Sequence, residues 1–128
     1  MDEATLRRLH VFDGLSRKQR RLLASRADEL EVPPGKTLCS KGETAHEFFV
    51  IEDGAASVRQ DGEEIAMLGP GDFFGEIALL ESPRRTATVV ALTPMQLLVM
   101  HARDFKAMEH ELPLVADRLR AAIYARLN

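Results

Sequence analysis

The chain has 128 residues, 45% of them hydrophobic and 29% charged, a balance that fits one soluble domain with a single core and excludes disordered and collagen-like chains. Its 17 Lys and Arg against 20 Asp and Glu leave a formal charge of -3, so no broad basic field exists to hold nucleic acid regardless of sequence. With Cys39 as the one cysteine, an intramolecular disulfide and a thiolate metal cluster are both excluded. No apolar run approaches the ~20 residues of a membrane span, and the charged start MDEATLRRLH is unlike a secretory signal. The expectation is one cytoplasmic domain over 1–128 with no membrane contact.

In chain order, Ser16-Arg-Lys-Gln19 has the pattern of a capping box, in which the Ser hydroxyl and the Gln side chain satisfy backbone N–H groups at a helix start. Leu15, Leu22, Leu23, Ala27 and Leu30 then follow at helical spacing opposite Arg17, Lys18, Arg20 and Arg21, and helices are expected over 1–30. This basic run reads as the solvated side of a helix rather than as a nucleic-acid patch.

Pro33-Pro34-Gly35 stops the helix and suits a type II turn. Beyond it, Asp53-Gly54, Asp61-Gly62 and Pro70-Gly71 arrive 8 or 9 residues apart, with β-prone runs at Phe48 to Ile51, Ala55 to Arg59 and Ile65 to Leu68. Two more runs, Thr86 to Ala91 and Met95 to His101, flank Thr93-Pro94, and the region 31–101 is expected to be a small barrel or sandwich. The helical period returns from Arg103, and C-terminal helices are expected over 102–128. Pro113 suits a first helical turn, and Ala116, Leu119, Ile123 and Leu127 form one stripe. Such a helix, ~24 Å long, would reach across a barrel mouth as a lid, and its stripe also offers a homodimer seam.

The stretch 71–88 carries the chemistry. Gly75 permits an unusual backbone angle or a close approach, and Ile77-Ala78-Leu79-Leu80 reads as one short helical turn within a strand-rich region. Free N–H groups at such a turn favour an anion, and an arginine from the adjacent loop would add a planar fork of two parallel hydrogen bonds. Glu76 beside an anion needs donors, which a sugar hydroxyl next to a phosphate would supply. Together these groups describe a site for a sugar phosphate.

This stretch resembles the phosphate-binding cassette of the cyclic nucleotide-binding domain family, shared by bacterial cyclic-AMP receptor proteins, kinase regulatory subunits and cyclic nucleotide-gated channels. Leu9-His-Val-Phe12 and Leu15-Ser16 resemble the family's N-terminal helices. Gly35-Lys-Thr-Leu38 and Lys41-Gly42-Glu43 resemble its second and third strands, and Phe48-Phe49-Val50-Ile51 to Gly54 its next hairpin. The resemblance implies a mainly β fold, an eight-stranded jelly-roll barrel (a double-stranded β-helix) with N-terminal helices and a C-terminal lid helix. It implies that Glu76 accepts a ribose 2′-hydroxyl, that Arg85 pairs with the cyclic phosphate, and that the backbone N–H groups of Ile77, Ala78 and Thr86, after Gly75, complete the cradle.

The family usually places proline directly before that arginine, whereas here Pro83 precedes Arg84 and then Arg85. Arg85 is favoured because it lies nine residues after Glu76, as in the family, and Thr-Ala-Thr-Val follows it. The implied ligand is cyclic AMP, with cyclic GMP as the alternative, since Thr86 does not decide between them. Strand alternation offers Val58, Ala66 and Leu68 as a wall against the base, and Leu119, Arg120, Ile123 and Tyr124 of the last helix as its cap.

The reading is of a sensor without catalytic machinery or cofactor, working through an unidentified effector protein or domain. With the sequence ending at Asn128, direct DNA binding through a following helix-turn-helix is not expected. Two other classes compete. One is a nucleotide-independent barrel that serves as an interaction module. The other is a cupin-like metalloenzyme, for which His10, His46, His101 and His110 lack clustered spacing. Cys39 reads as a small strand residue.

Overall fold

A computed structural model describes residues 13–40, 42, 47–74, 87–114, 116–117 and 121. The first element, α1 (Arg17–Ser25), starts where the capping box places it. The Gln19 backbone N–H donates to Ser16 Oγ at 3.1 Å, and the Ser16 N–H donates to Gln19 Oε1 at 2.8 Å. Leu23 and Ala24 are its buried residues. The helix is shorter than its apolar spacing suggests: it closes at Arg26, whose N–H donates to the Leu23 carbonyl, and the following Ala27 N–H donates to the Ala24 carbonyl. Leu30 belongs instead to strand β1 (Asp28–Val32), because the whole segment pairs residue by residue with a strand near the far end of the barrel. That long-range pairing outweighs a helical spacing carried by one leucine.

Seven further strands follow among the described residues: β2 (Thr37–Cys39), β3 (Glu47–Asp53), β4 (Ala56–Gln60), β5 (Glu63–Leu68), β6 (Phe73–Phe74), β7 (Thr88–Ala91) and β8 (Met95–His101). They form two antiparallel four-stranded sheets, ordered β1-β8-β3-β6 and β2-β7-β4-β5. The mainly β barrel expected from the sequence is therefore present, and its strands match the anticipated runs closely at β3, β4 and β8. Of the segment expected as a third strand, Lys41 and Glu43 lie outside the described residues and Gly42 stands in a turn. The two-residue β6 lies within the stretch 71–88 and was not among the expected strands; its Phe74 ring stacks on Phe49 at 4.7 Å, and Phe73 tilts against Phe48 at 5.7 Å.

The turn residues explain the hairpins. Asp61 and Gly62 both take positive φ, 53° and 83°, which is the two-residue type I′ connection joining β4 directly to β5. Gly35 takes φ 84°, and the Lys36 N–H donates to the Pro33 carbonyl to close the preceding turn.

The two sheets share one interior. From β3, Phe49 and Ile51 point into it, as do Met95, Leu97 and Val99 from β8; opposite them stand Ala56, Leu68, Val89 and Ala91 of the second sheet. The alternate residues Phe48, Val50, Leu98 and Met100 pack outward under a layer of helices. That layer contains Leu23 of α1 together with Phe105 and Met108 of α2 (Ala102–Glu111). Both faces of β3 and β8 are thus covered, which is why Phe-Phe-Val-Ile and Leu-Leu-Val-Met read as unbroken apolar runs rather than alternating ones.

After α2, helical backbone resumes at Pro113, as its place in the sequence suggests, and Leu112 and Ala116 stay buried in the same layer. Arg26 ties the two helices together. Its Nε donates to Glu111 Oε2 at 3.2 Å, its Nη2 donates to Glu111 Oε1, and Asp104 lies 3.9 Å from Nη1. The hydrogen bond and the charge of Glu111 push the guanidinium pKa further up.

Candidate functional site

The anticipated phosphate cradle, Gly75, Glu76, Ile77, Ala78, Arg85 and Thr86, lies outside the described residues, as do Arg84 and the lid residues Leu119, Arg120, Ile123 and Tyr124. The strands on either side of the cradle sequence are described, and they locate its attachment points. Phe74 ends β6 beside Phe49 of the first sheet. Thr88 opens β7 beside Arg59 of the second sheet. The connection therefore leaves one sheet and joins the other at the barrel end where β4 finishes and β5 begins.

At that end the interior wall changes character. The second sheet runs β7, β4, β5, and its inward residues stand in rows across the three strands. Ala91, Ala56 and Leu68 form one row; Val89, Val58 and Ala66 form the next. All three members of the first row are buried. In the second, Val89 is buried, Val58 is half-buried and Ala66 is exposed although it shares the inward side of β5 with Leu68. The barrel interior thus opens to solvent beside Val58 and Ala66, next to the point where the cradle connection attaches. The side chains that line this opening, Val58, Ala66 and Val89, are small and apolar.

Val58, Ala66 and Leu68, the wall residues expected from alternation, are therefore brought together on adjacent strands. Val89 completes the row of Val58 and Ala66 and is not among the wall residues expected from the sequence. The alternation of Val89 and Ala91 within Thr88–Ala91 is the signal that would have found it. A groove of about 540 Å³ lies at the opposite end of the barrel, lined by Glu31, Val32, Pro33, Asp53, Pro94, Met95 and Gln96. None of the described wall residues Val58, Ala66 and Leu68 borders it. At this closed end the turn after β3 packs hard against the turn before β8, and a Cβ on Gly54, at φ 97°, would stand 2.5 Å from the Pro94 carbonyl oxygen.

Among the described residues no three His, Cys, Asp or Glu side chains converge as a metal site, and no helix is long and apolar enough to cross a membrane. Cys39 is buried on β2, in the barrel interior. Arg17, Lys18 and Arg21 are exposed on α1, while Arg20 Nη1 donates back to the Leu15 carbonyl at 2.6 Å.

Comparison with known proteins agrees with this geometry. A family model described as the cyclic nucleotide-binding domain matches residues 29–111, from β1 to the last residue of α2. The chain is 32% identical over 123 residues to a cyclic AMP receptor protein of Thermus thermophilus, covering 92% of this chain and 57% of that one. It is 37% identical over 95 residues to a cyclic nucleotide-gated potassium channel of Rhizobium etli, covering 74% of this chain and 26% of the channel. The chain thus spans between a quarter and somewhat over half of these curated relatives. Among solved structures, the N-terminal domain of a transcriptional regulator from Streptomyces coelicolor superposes with a TM-score of 0.78 at 30% identity, with 96% of this chain and 90% of that one covered.

Proposed function

The chain belongs to the cyclic nucleotide-binding domain family, and we propose that it binds cyclic AMP and reports the binding through its C-terminal helices to an effector, with no catalytic step. The observation that carries this reading is the opening of the barrel wall at Val58 and Ala66, beside the attachment of the stretch that matches the family cassette. In this reading the base lies on Val58, Ala66 and Leu68. Arg85 pairs with the cyclic phosphate, the N–H groups of Ile77, Ala78 and Thr86 complete the cradle after Gly75, and Glu76 accepts the ribose hydroxyl.

Cyclic AMP is preferred over cyclic GMP because the Thermus relative bears the name of a cyclic AMP receptor. Leu119, Arg120 and Ile123 would form the cap. The described start of the C-terminal region supports a mechanical link: Leu112 and Ala116 pack into the helix layer over the outer faces of β3 and β8. A shift of this layer relative to the barrel is a two-state change that a ligand can bias only through its differential affinity for the two states. The same helices are the proposed homodimer seam, and the proposed setting is the cytoplasm.

Thermal melting of the purified chain with cyclic AMP, cyclic GMP, 5′-AMP or buffer tests the reading. Ligand at 100 times its dissociation constant stabilises by about 2.7 kcal/mol. A selective upward shift with cyclic AMP is expected. A shift with cyclic GMP alone reassigns the ligand, and no shift at millimolar concentrations of either overturns the sensor reading in favour of a nucleotide-independent interaction module.

A further inference from the structure

β5 is the last strand of the second sheet: it pairs with β4, and no described strand lies on its other side. It is also unusually bare. Glu63, Glu64, Ile65, Ala66 and Met67 are all exposed, and Ile65 and Met67 keep 54% and 63% of their surface in water. The register step between Val58 and Arg59 leaves Ile65 as one residue more than β4 can match, which is a β-bulge. Met67 pairs with Ser57, on the side of the sheet turned away from the interior.

Proteins usually defend an open sheet edge with lysine, proline, a bulge or a cover. Here a bulge is present, but the charges beside it are two consecutive carboxylates, and the remaining outward side chains are large and apolar. Arg59, next to Glu64 in the register, has its Nε directed to Ser57 Oγ at 3.2 Å. The edge is therefore acidic at one end and apolar along its length, with no described strand along its outer margin.

We propose that β5 is a docking edge for an extended basic segment of a partner protein. The segment adds to the sheet as a further strand, lays apolar side chains over Ile65 and Met67, and sets lysine or arginine against Glu63 and Glu64. Strand addition supplies main-chain hydrogen bonds, and the charge pattern selects a basic occupant. A second copy of the chain would bring the same acidic strand rather than a basic one. This inference does not depend on which nucleotide the barrel binds.

The test uses the full chain and a fluorescein-labelled peptide, Lys-Val-Lys-Val-Lys-Val, with Glu-Val-Glu-Val-Glu-Val as control, read by anisotropy and by backbone amide shifts in NMR. Saturable binding of the lysine peptide is expected, with the largest shifts over residues 63–68. Raising the salt to 0.5 M should weaken it about fivefold or more. The double variant Glu63→Lys/Glu64→Lys should lose about tenfold or more in affinity, and Ile65→Thr/Met67→Thr a similar amount. Both keep exposed, strand-compatible residues, and their amide spectra report whether the fold persists. Equal binding of the acidic control, unaltered affinity in the folded lysine variant, or shifts centred outside β5 would overturn the proposal. So would a concentration-dependent dimer abolished by Glu63→Lys/Glu64→Lys, since the occupant would then be a second copy.

Discussion

The two sheets of this barrel are built from the same number of strands yet serve different ends. In the first, β1-β8-β3-β6, the central strands β8 and β3 are covered on the inner side by the barrel and on the outer side by helices, so Phe48, Val50, Leu97, Leu98 and Met100 are fully buried. The second, β2-β7-β4-β5, buries its inward residues at one end and leaves them open at the other, and its edge strand is almost wholly exposed. The difference teaches where sequence can vary without cost to the fold. Residues of β3 and β8 answer to packing on two sides, whereas those of β4 and β5 near the opening have surface to spare for recognition.

Substitutions can break or sharpen this contrast. Phe48→Ala empties a fully buried site beneath the helix layer and should cost about 3–5 kcal/mol of folding stability, measured by denaturant unfolding. Arg85→Ala should leave stability nearly unchanged but remove the charged partner of the proposed phosphate. By analogy with a broken buried ion pair, titration calorimetry should show a loss of ~3–5 kcal/mol in binding, or two to four decades in affinity. Wild-type affinity in that variant would move the role to Arg84 or dismiss the site.

Ala66→Leu fills the open wall without opening a cavity, so its melting temperature should stay close to wild type while cyclic AMP affinity falls about tenfold. A large loss of stability instead would show that the second sheet is packed as tightly there as the first. The smallest effect belongs to the exposed bridge between the helices: Arg26→Ala should shift the melting midpoint only slightly, and the difference should disappear in high salt.

What was legible in the sequence was local. The capping box at Ser16 and the Asp61-Gly62 hairpin are decided by a few neighbouring residues, and each appears in the structure in the form its chemistry requires. Strands β1 and β6 were missed because they are decided at a distance. Asp28–Val32 contains only two apolar residues and becomes a strand through β8, and Phe73–Phe74 is held by β3. The candidate site was legible in two unequal ways. Val58, Ala66 and Leu68 followed from period-two alternation, which the register places on one side of the sheet. The proposed cradle from Gly75 to Thr86 was readable only as a motif, because its residues show no hydrophobic period.

The central position of β8 has a consequence for how the molecule comes into being. It joins β1 to β3, setting Asp28 beside Val99 and Glu47 beside His101, so the first sheet stays unformed until nearly the whole barrel has left the ribosome. Such distant pairings make folding slow, since loop closure is paid before contacts repay it. During that interval Phe-Phe-Val-Ile of β3 is apolar on both sides and lacks β8 as its long partner and Phe105 and Met108 of α2 as its cover, all of which come later in the chain. The nascent chain is therefore at its most aggregation-prone just before β8 emerges, and a product truncated ahead of Met95 should require a chaperone to remain in solution.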